Sequence, residues 1–253
     1  MTATELPRPD ANWALFLDFD GTLTDIAVTP GAVRVDPDLP ATLAKLQGGL
    51  GGAVAIISGR PLAQIDAMLA PVVLPAAGLH GLEWRDQRGR VERPEAEPAA
   101  LAPMRRMLAE FAAANPGVEL EDKTHTLALH YRAAPRLAGE CRRAVQAAAA
   151  GTDGAFHVLE GKMVFEIKPA GIDKGTAIER FLAAPPFAAR RPVFIGDDTT
   201  DEDGFAAVNR HWGITVRVGD GQPTAARYRI AAVADLLAWL ADIAAELAPQ
   251  AAR

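Results

Sequence analysis

Two aspartates close a short apolar run near the start of the chain, and this feature limits the fold more than any other. Residues 13–19 read WALFLDF, so that Asp18 lies near the end of the run, and Asp20 and Gly21 follow directly. An apolar run of this length followed by acidic residues and glycine predicts a buried strand with polar groups at its carboxyl end. In open α/β sheets, ligands bind beyond the carboxyl ends of the strands. We therefore expect a binding site at this edge of a sheet.

The rest of the chain alternates apolar runs with helical patterns, which predicts an α/β fold with a parallel sheet. A hairpin is predicted at residues 82–91. The other strands are predicted at 13–19, 53–57, 72–77, 192–196 and 214–218, and the helices at 39–46, 61–69, 174–182, 202–209 and 233–246.

A different pattern interrupts this alternation. Two helices, at 104–114 and 137–150, accompany strand patterns at 126–131, 157–160 and 163–167. Proline- and glycine-containing segments flank this stretch on both sides, as expected for hinges. We therefore predict a discontinuous core of residues 10–97 and 170–246, with a smaller α+β cap domain inserted at residues 98–169.

Charge and cysteine content exclude several classes of protein. The net charge of −6 argues against nucleic-acid or anionic-membrane partners, which would require a basic surface. The single cysteine, Cys141, excludes an intrachain disulfide and fits a reducing cytoplasm. No signal peptide and no apolar stretch of about 20 residues is visible, so we expect a cytoplasmic protein. We expect a monomer.

The pair Asp18 and Asp20 indicates a metal site. Two carboxylates this close repel each other, and both stay ionised only beside a cation. Mg²⁺ takes oxygen ligands from one or two carboxylates, together with waters and substrate phosphate. A calcium-binding EF-hand is the alternative, but that loop has a third Asp or Asn before its glycine and a glutamate six residues beyond it. Here Gly21 directly follows the second aspartate and residue 27 is alanine.

A second acidic cluster, GDDTTDE at residues 196–202, follows the apolar run at 192–195. Acidic residues are favoured in the first turn of a helix, which accounts for Asp201 and Glu202 without any functional role. That explanation does not extend to Asp197 and Asp198. A cation beside them does, and we predict that this cluster completes the metal site.

Two further segments predict groups that bind phosphate. Ser58, Gly59 and Arg60 end the second predicted strand, where a hydroxyl and free backbone N–H groups can hold phosphate oxygens. Lys174 opens the first helix after the insertion and can neutralise phosphoryl charge. Either signal alone is weak, because serine and glycine are common at strand ends and lysine at surfaces.

In this order, the four elements DxDGT, Ser, Lys and GDDxxD resemble the motifs of the haloacid-dehalogenase (HAD) superfamily of phosphatases. The resemblance implies a Rossmann-like core and a role for each residue. Asp18 would be the nucleophile, and Asp20 the acid and base for the leaving group and water. Ser58 and Lys174 would stabilise the transferring phosphoryl group. Asp201 would orient Lys174 or a metal-bound water, and Mg²⁺ would be held by Asp18, the backbone carbonyl of Asp20 and Asp197.

Finer motifs are similar to those of bacterial-type trehalose-6-phosphate phosphatases over residues 13–240. They are GLHG at 78–81, LEDK at 120–123, HYR at 130–132, EGKMVFEIKP at 160–169 and GFAAVN at 204–209. The similarity implies hydrolysis of trehalose 6-phosphate, a ligand with many hydroxyls. The expected substrate-binding residues are Gly59, Arg60, His80, Glu121, Lys123, His130, Glu160, Lys162 and Glu166.

Alternatives remain open at this point. The charged residues of the insertion could form a solvated surface with cross-strand pairs. A related sugar phosphatase, acting on sucrose phosphate or mannosyl-phosphoglycerate, would share the core chemistry. A phospho-accepting signalling domain would also hold Mg²⁺ beside an aspartate. Such a domain needs no acid for a leaving alkoxide, so Asp20 argues against it.

Overall fold

The computed structural model describes residues 6–27, 33–94 and 99–248. These fall into two compact units. The first, called the core unit, consists of residues 6–27, 33–92 and 173–248, and the second, called the inserted unit, of residues 93–94 and 99–172. The insertion was predicted at residues 98–169, and the second unit runs to residue 172.

The core unit is built on an eight-stranded sheet. Its strands are β1 (Trp13–Leu17), β2 (Val54–Ile57), β3 (Ala76–Gly78), β4 (Glu83–Arg85), β5 (Val91–Glu92), β10 (Arg191–Gly196), β11 (Ile214–Val218) and β12 (Tyr228–Ile230). The order is β12-β11-β10-β1-β2-β3-β4-β5. Neighbours from β12 to β3 are parallel, and β4 and β5 extend the sheet antiparallel. The predicted α/β fold with a parallel sheet is thereby confirmed.

Helices cover both faces of this sheet. They are α1 (Leu39–Gly49), α2 (Leu62–Leu69), α5 (Lys174–Leu182), α6 (Glu202–Arg210) and α7 (Val233–Glu246). Leu15 and Leu17 of β1 pack in a core with α1, α2 and α7, whereas Ala14 and Phe16 pack in a second core with α5 and α6. Because both faces are covered, every residue of β1 is buried, which explains its unbroken apolar run. Each fully buried large side chain contributes about 1.5–3 kcal/mol.

Two elements of the core unit differ from the prediction. The strand predicted at 72–77 begins only at Ala76, because Pro75 has no N–H to donate to a neighbouring strand. The strand β12 was not predicted, since it has three residues and an arginine in the middle. In contrast, β11 and α7 begin and end at the predicted residues.

The inserted unit is a four-stranded antiparallel sheet with two helices. Its strands are β6 (Glu119–Asp122), β7 (Leu127–His130), β8 (Phe156–Gly161) and β9 (Val164–Pro169), in the order β6-β7-β9-β8, and its helices are α3 (Leu101–Ala114) and α4 (Ala138–Ala149). One sheet face, including Leu129 and Phe165, packs in an apolar core with both helices. Cys141 lies buried in that core, where burial raises the pKa of its thiol. The predicted α+β architecture is confirmed.

Among the described helices, none combines the length and the apolar character that crossing a membrane requires.

Candidate active site in the core unit

Asp18 and Asp197 lie side by side at the carboxyl ends of two neighbouring parallel strands. Asp18 follows β1 and donates its backbone N–H to the carbonyl of Ile195 in β10, at 2.9 Å. The hydroxyl of Thr22 lies 3.2 Å from Oδ2 of Asp18 and 3.3 Å from Oδ1 of Asp197. Both carboxylates are buried. The sheet topology therefore brings together two acids that are far apart in sequence.

Gly21 makes this approach of the two loops possible. Its φ of +85° lies in the left-handed region that favours glycine. A Cβ atom at this position would lie 2.1 Å from Oδ2 of Asp197, inside van der Waals contact. The glycine of the DxDGT motif is thus required both by its backbone conformation and by the adjacent carboxylate.

Lys174 joins two of the buried acids. Its Nζ donates to Oδ1 of Asp18 at 2.7 Å and to Oδ1 of Asp201 at 2.6 Å. A capping box between Asp173 and Thr176 fixes the start of α5, and with it the position of this lysine. Burial acts to lower the pKa of Lys174, but the charges of Asp18 and Asp201 outweigh burial and raise that pKa. The two carboxylates therefore favour the positively charged form of the lysine.

Asp201 also holds the loop that carries Asp197. Its Oδ2 accepts the backbone N–H groups of Asp197 and Asp198, each at 2.9 Å. The residue is fully buried. Asp201 thus orients Lys174 with one carboxylate oxygen and, with the other, the loop of residues 197–198, called here the acidic loop.

The charge of this cluster fits a divalent cation. One carboxylate oxygen from each of Asp18, Asp197 and Asp201 lies within 4.8 Å of the others. Burial raises the pKa of Asp18 well above its usual range, Asp201 and Asp197 raise it further, and Lys174 opposes them. Three acids thus face one buried lysine, and a divalent cation with a preference for oxygen ligands would restore the balance.

The side chain of Asp20 lies apart from this cluster. Its two oxygens accept from Nε and an Nη of Arg60, each at 2.6 Å. Another Nη of Arg60 donates to Gln64 at 3.1 Å. Of the predicted metal set, the structure therefore brings together Asp18 and Asp197. The contribution predicted for Asp20 is that of its backbone carbonyl and stays a prediction.

Ser58, Gly59 and His80 lie together at the carboxyl end of β2. The Ser58 hydroxyl oxygen accepts the N–H of Arg60 at 3.1 Å, which leaves its own proton available for a ligand. The backbone N–H of His80 donates to the Ser58 carbonyl at 2.9 Å. The φ of His80, 58°, is uncommon outside glycine. A Cβ atom at Gly59 would lie 2.7 Å from Nε2 of His80, so this ring requires glycine as its neighbour.

Two buried residues of the core site have no assigned role in the sequence interpretation. Thr22 was part of the quoted motif, but only the structure shows its hydroxyl between two carboxylates. Arg217 lies in β11 and contacts the acidic loop. The signal in the sequence is a single charged residue within the apolar run ITVRV.

Five polar residues of the inserted unit form a second group, called here the inserted polar cluster: Glu121, Lys123, Thr126, His130 and Glu166. Glu166 accepts from Thr126 at 2.7 Å and from Lys123 at 3.2 Å. A ring nitrogen of His130 lies 2.9 Å from a carboxylate oxygen of Glu121. Burial acts to raise the pKa of Glu121, but the hydrogen bond from His130 and the charge of Lys123 outweigh it and lower that pKa. Four of the predicted substrate-binding residues are thus in one cluster.

Glu160 and Lys162 are not part of this cluster. Glu160 lies opposite Phe165 in the β8–β9 register and pairs with Arg142 of α4 at 2.6 Å, with both side chains half exposed. It therefore lies on the helix-covered face of the small sheet, whereas Glu166 lies on the other face. Lys162 is exposed in the turn between the two strands.

Known proteins with similar sequences share one activity in their names. A sequence model of the trehalose-phosphatase family matches residues 16–234. A probable trehalose-phosphate phosphatase from Sinorhizobium fredii is 48% identical over 217 residues, which cover 84% of this chain and 80% of that protein. The trehalose-6-phosphate phosphatase of Escherichia coli is 40% identical over 248 residues, 96% of this chain and 91% of that protein.

Solved structures support the same fold. The C-terminal domain of a C. albicans trehalose-6-phosphate phosphatase aligns with a TM-score of 0.80 at 22% identity, covering 92% of each chain. A phosphatase of the HAD superfamily from Bacteroides thetaiotaomicron aligns with a TM-score of 0.64 at 16% identity over 97% of this chain and 99% of that one. These likenesses confirm the predicted HAD fold, and the sequence matches go further: the chain belongs to the trehalose-phosphatase family.

Proposed function

We propose that this protein hydrolyses trehalose 6-phosphate to trehalose and phosphate, with Asp18 as the nucleophile. The observation that carries the proposal is the buried group of Asp18, Lys174, Asp197 and Asp201 at the carboxyl edge of the sheet. Family membership supports both the reaction and the substrate.

In the first step, an Asp18 oxygen attacks phosphorus and the bond from phosphorus to the sugar oxygen breaks. Asp20, in its protonated form, gives its proton to the departing sugar oxygen, so trehalose leaves as a neutral alcohol. In the second step, water attacks the aspartyl phosphate, Asp20 takes a proton from it, and phosphate and the Asp18 carboxylate are released. Asp20 is thereby returned to its protonated form.

Charge neutralisation carries most phosphoryl-transfer catalysis, and the core unit supplies the groups for it. Lys174 and the Ser58 hydroxyl would hold the phosphoryl oxygens. Mg²⁺, held by Asp18, Asp197 and the Asp20 carbonyl, would supply further positive charge at the phosphoryl group. Arg60 holds Asp20 by two hydrogen bonds, and Asp20 must give up at least one of them to reach the sugar oxygen.

The inserted polar cluster is proposed to bind sugar hydroxyls. Carboxylates accept and the lysine ammonium donates, which matches the hydroxyls of a disaccharide. Glu121, Lys123, His130 and Glu166 remain in this proposal. Glu160 and Lys162 are left out, because Glu160 lies on the other sheet face and Lys162 lies exposed in the turn between β8 and β9. His80, Gly59 and Arg60 are proposed to contact the phosphate end of the substrate.

The reaction is tested by measuring phosphate release from a panel of sugar phosphates. With Mg²⁺, we expect kcat/KM for trehalose 6-phosphate to exceed those for sucrose 6-phosphate and glucose 6-phosphate by about 100-fold or more, since unpaired polar groups penalise poorly fitting ligands. A chelator should abolish activity, and added Mg²⁺ should restore it. Equal turnover of the whole panel would contradict the substrate, and full activity with chelator would contradict the metal.

Glu166→Gln tests the inserted polar cluster. Loss of a hydrogen bond to a charged group costs about 1.5–3 kcal/mol, so we expect kcat/KM for trehalose 6-phosphate to fall about 10- to 100-fold. Turnover of p-nitrophenyl phosphate, which has no sugar, should stay near the wild-type value. The matched control is Glu160→Gln, the same exchange on the other sheet face. It should leave kcat/KM for trehalose 6-phosphate and the turnover of p-nitrophenyl phosphate unchanged. Equal losses of activity in both variants, or with both substrates, would contradict the proposed role of the cluster in binding the sugar.

Cellular location and assembly are proposed from the cysteine content and the proposed substrate. The single buried cysteine and the small-molecule substrate favour the cytoplasm. A monomer remains our working proposal, and sedimentation analysis of the full chain would test it.

A further inference from the structure

Arg217 is a buried charge in a strand of the central sheet. It lies in β11 opposite Gly196 of β10, and only 6% of it is exposed. Its neighbours Val216 and Val218 pack in an apolar core. Burying a guanidinium is costly unless charged and polar partners compensate it, so the contacts of this side chain account for its presence.

Those contacts are made to the acidic loop and to Glu202, the first residue of α6. One Nη of Arg217 donates to the backbone carbonyl of Asp197 at 2.6 Å. The other donates to a carboxylate oxygen of Glu202 at 2.8 Å and lies 3.5 Å from the carbonyl of Asp198. The second oxygen of Glu202 accepts the N–H of Ala225 at 2.7 Å, which fixes the partner of Arg217 as well.

Arg217 and Asp201 both bind the main chain of the acidic loop, but Asp201 binds its N–H groups and Arg217 binds its carbonyls. Asp201 accepts the N–H groups of Asp197 and Asp198, while Arg217 donates to the carbonyl of Asp197. With both its N–H and its carbonyl bound, Asp197 has little freedom to rotate its main chain. The fixed main chain sets the position from which the Asp197 carboxylate, also contacted by Thr22, extends toward Asp18.

We propose that Arg217 is a positioning residue that sets the metal affinity of the site by fixing Asp197. This inference rests on the proposed function, in which Asp197 is a metal ligand. Residues that orient metal ligands without touching the metal typically change affinity or activity 10- to 100-fold when replaced. The two Nη groups of the guanidinium are both needed here, because one donates to the Asp197 carbonyl while the other donates to Glu202.

The test is direct Mn²⁺ binding to the full-length, substrate-free protein, followed by electron paramagnetic resonance. We expect the Kd for Mn²⁺ to rise about 100-fold in Arg217→Met. In Arg217→Lys it should rise about tenfold, because lysine keeps the charge but has one nitrogen in place of the two Nη groups. In kinetics, the Mg²⁺ concentration for half-maximal activity should rise in parallel. Most of the wild-type kcat should return at saturating Mg²⁺, because no catalytic group has been removed.

Arg85→Met is the matched control. Arg85 is also a buried strand arginine, donating to the Leu74 carbonyl at 2.9 Å and to both oxygens of Asp66 at 2.7 Å. It lies in β4, five strands away from β11 in the sheet. The control should lower the melting temperature while its Mn²⁺ Kd stays at the wild-type value.

Each outcome decides one question. A wild-type Kd in Arg217→Lys, or an equal loss of Mn²⁺ affinity in Arg85→Met, would overturn the role of Arg217. If Arg217→Met does not fold, Arg217→Lys alone decides. Failure of the wild-type protein to bind Mn²⁺ at all would instead contradict the proposed function.

Discussion

Replacing Asp18 with asparagine is expected to lower kcat for trehalose 6-phosphate by about 10⁴-fold or more, in line with the loss of a nucleophile in other enzymes. The amide is a poor nucleophile and a poor metal ligand, so both proposed roles of the residue are lost. Acid-quenched wild-type enzyme should carry a phosphoryl group on the peptide containing Asp18, detectable by mass spectrometry. The variant should carry none.

The fold is expected to survive this exchange. Burial and the neighbouring Asp201 raise the pKa of Asp18, which means that its charge is unfavourable in the metal-free protein. Asparagine removes that charge at nearly the same volume, while Asp201 still accepts from Lys174. We therefore expect a melting temperature equal to or above the wild-type value in chelator, which separates a catalytic loss from unfolding.

Asp25→Asn is the matched control. It makes the same exchange in the same segment, at an exposed position. Activity and phosphoryl labelling should match the wild type. Substantial activity in Asp18→Asn, or a phosphoryl group found on another residue, would refute the proposed mechanism.

Much of the core site could be predicted because its residues sit where elements end. Asp18, Ser58 and Asp197 each follow an apolar strand, and Lys174 begins a helix. In a parallel sheet the carboxyl ends of the strands lie at one edge, so sequence positions far apart become neighbours. The gathering of these residues at one edge of the sheet therefore follows from a pattern that is visible in the sequence.

Pairings between side chains could not be predicted in the same way. The Asp20–Arg60 and Arg217–Asp197 contacts depend on the conformations of loops, which carry no periodicity. The strands β6 and β12 are short, and charged residues in them mask the alternation that marks longer strands.

Glu160 shows how a turn changes which residues share a face. On one continuous strand, Glu160 and Glu166 would lie on the same side, since they are an even number of residues apart. The hairpin pairs Gly161 with Val164, so Glu160 lies opposite Phe165 and Leu159 lies opposite Glu166. We expected Glu160 and Glu166 to bind substrate together because of the family resemblance, and the register of the hairpin places them on opposite faces.

Replacing Lys174 with methionine is expected to destabilise the protein by about 3–5 kcal/mol, the usual cost of removing one partner from a buried ion pair. Lys174 is 3% exposed and contacts both Asp18 and Asp201. Without it, those two buried carboxylates have lost their shared cation. Urea unfolding of the full chain in chelator measures the difference, and activity should fall steeply as well, because Lys174 is proposed to hold the phosphoryl group.

The pH dependence gives a second signature. The folded-state pKa of Lys174 is raised, so its stabilising contribution is fully present below its unfolded pKa of about 10.4 and is lost only as pH rises above that value. Burial and Asp201 already raise the pKa of Asp18 in the wild type, and in the variant Lys174 no longer opposes them, so that pKa rises further. The folded variant then binds more protons than its unfolded state, and its stability increases as the pH falls. We expect the difference in free energy of unfolding between wild type and variant to become smaller from pH 7 to pH 5.

The double variant Lys174→Met/Asp201→Asn is the decisive comparison. Removing one acid together with the lysine lowers the number of uncompensated charges, so the double variant should be more stable than Lys174→Met alone, with a coupling energy of about 1–3 kcal/mol. Simple loss of packing at Lys174 would instead make the two changes additive. Additive losses, together with a stability gap that does not change with pH, would show that Lys174 does not neutralise the buried acids on which the proposed chemistry depends.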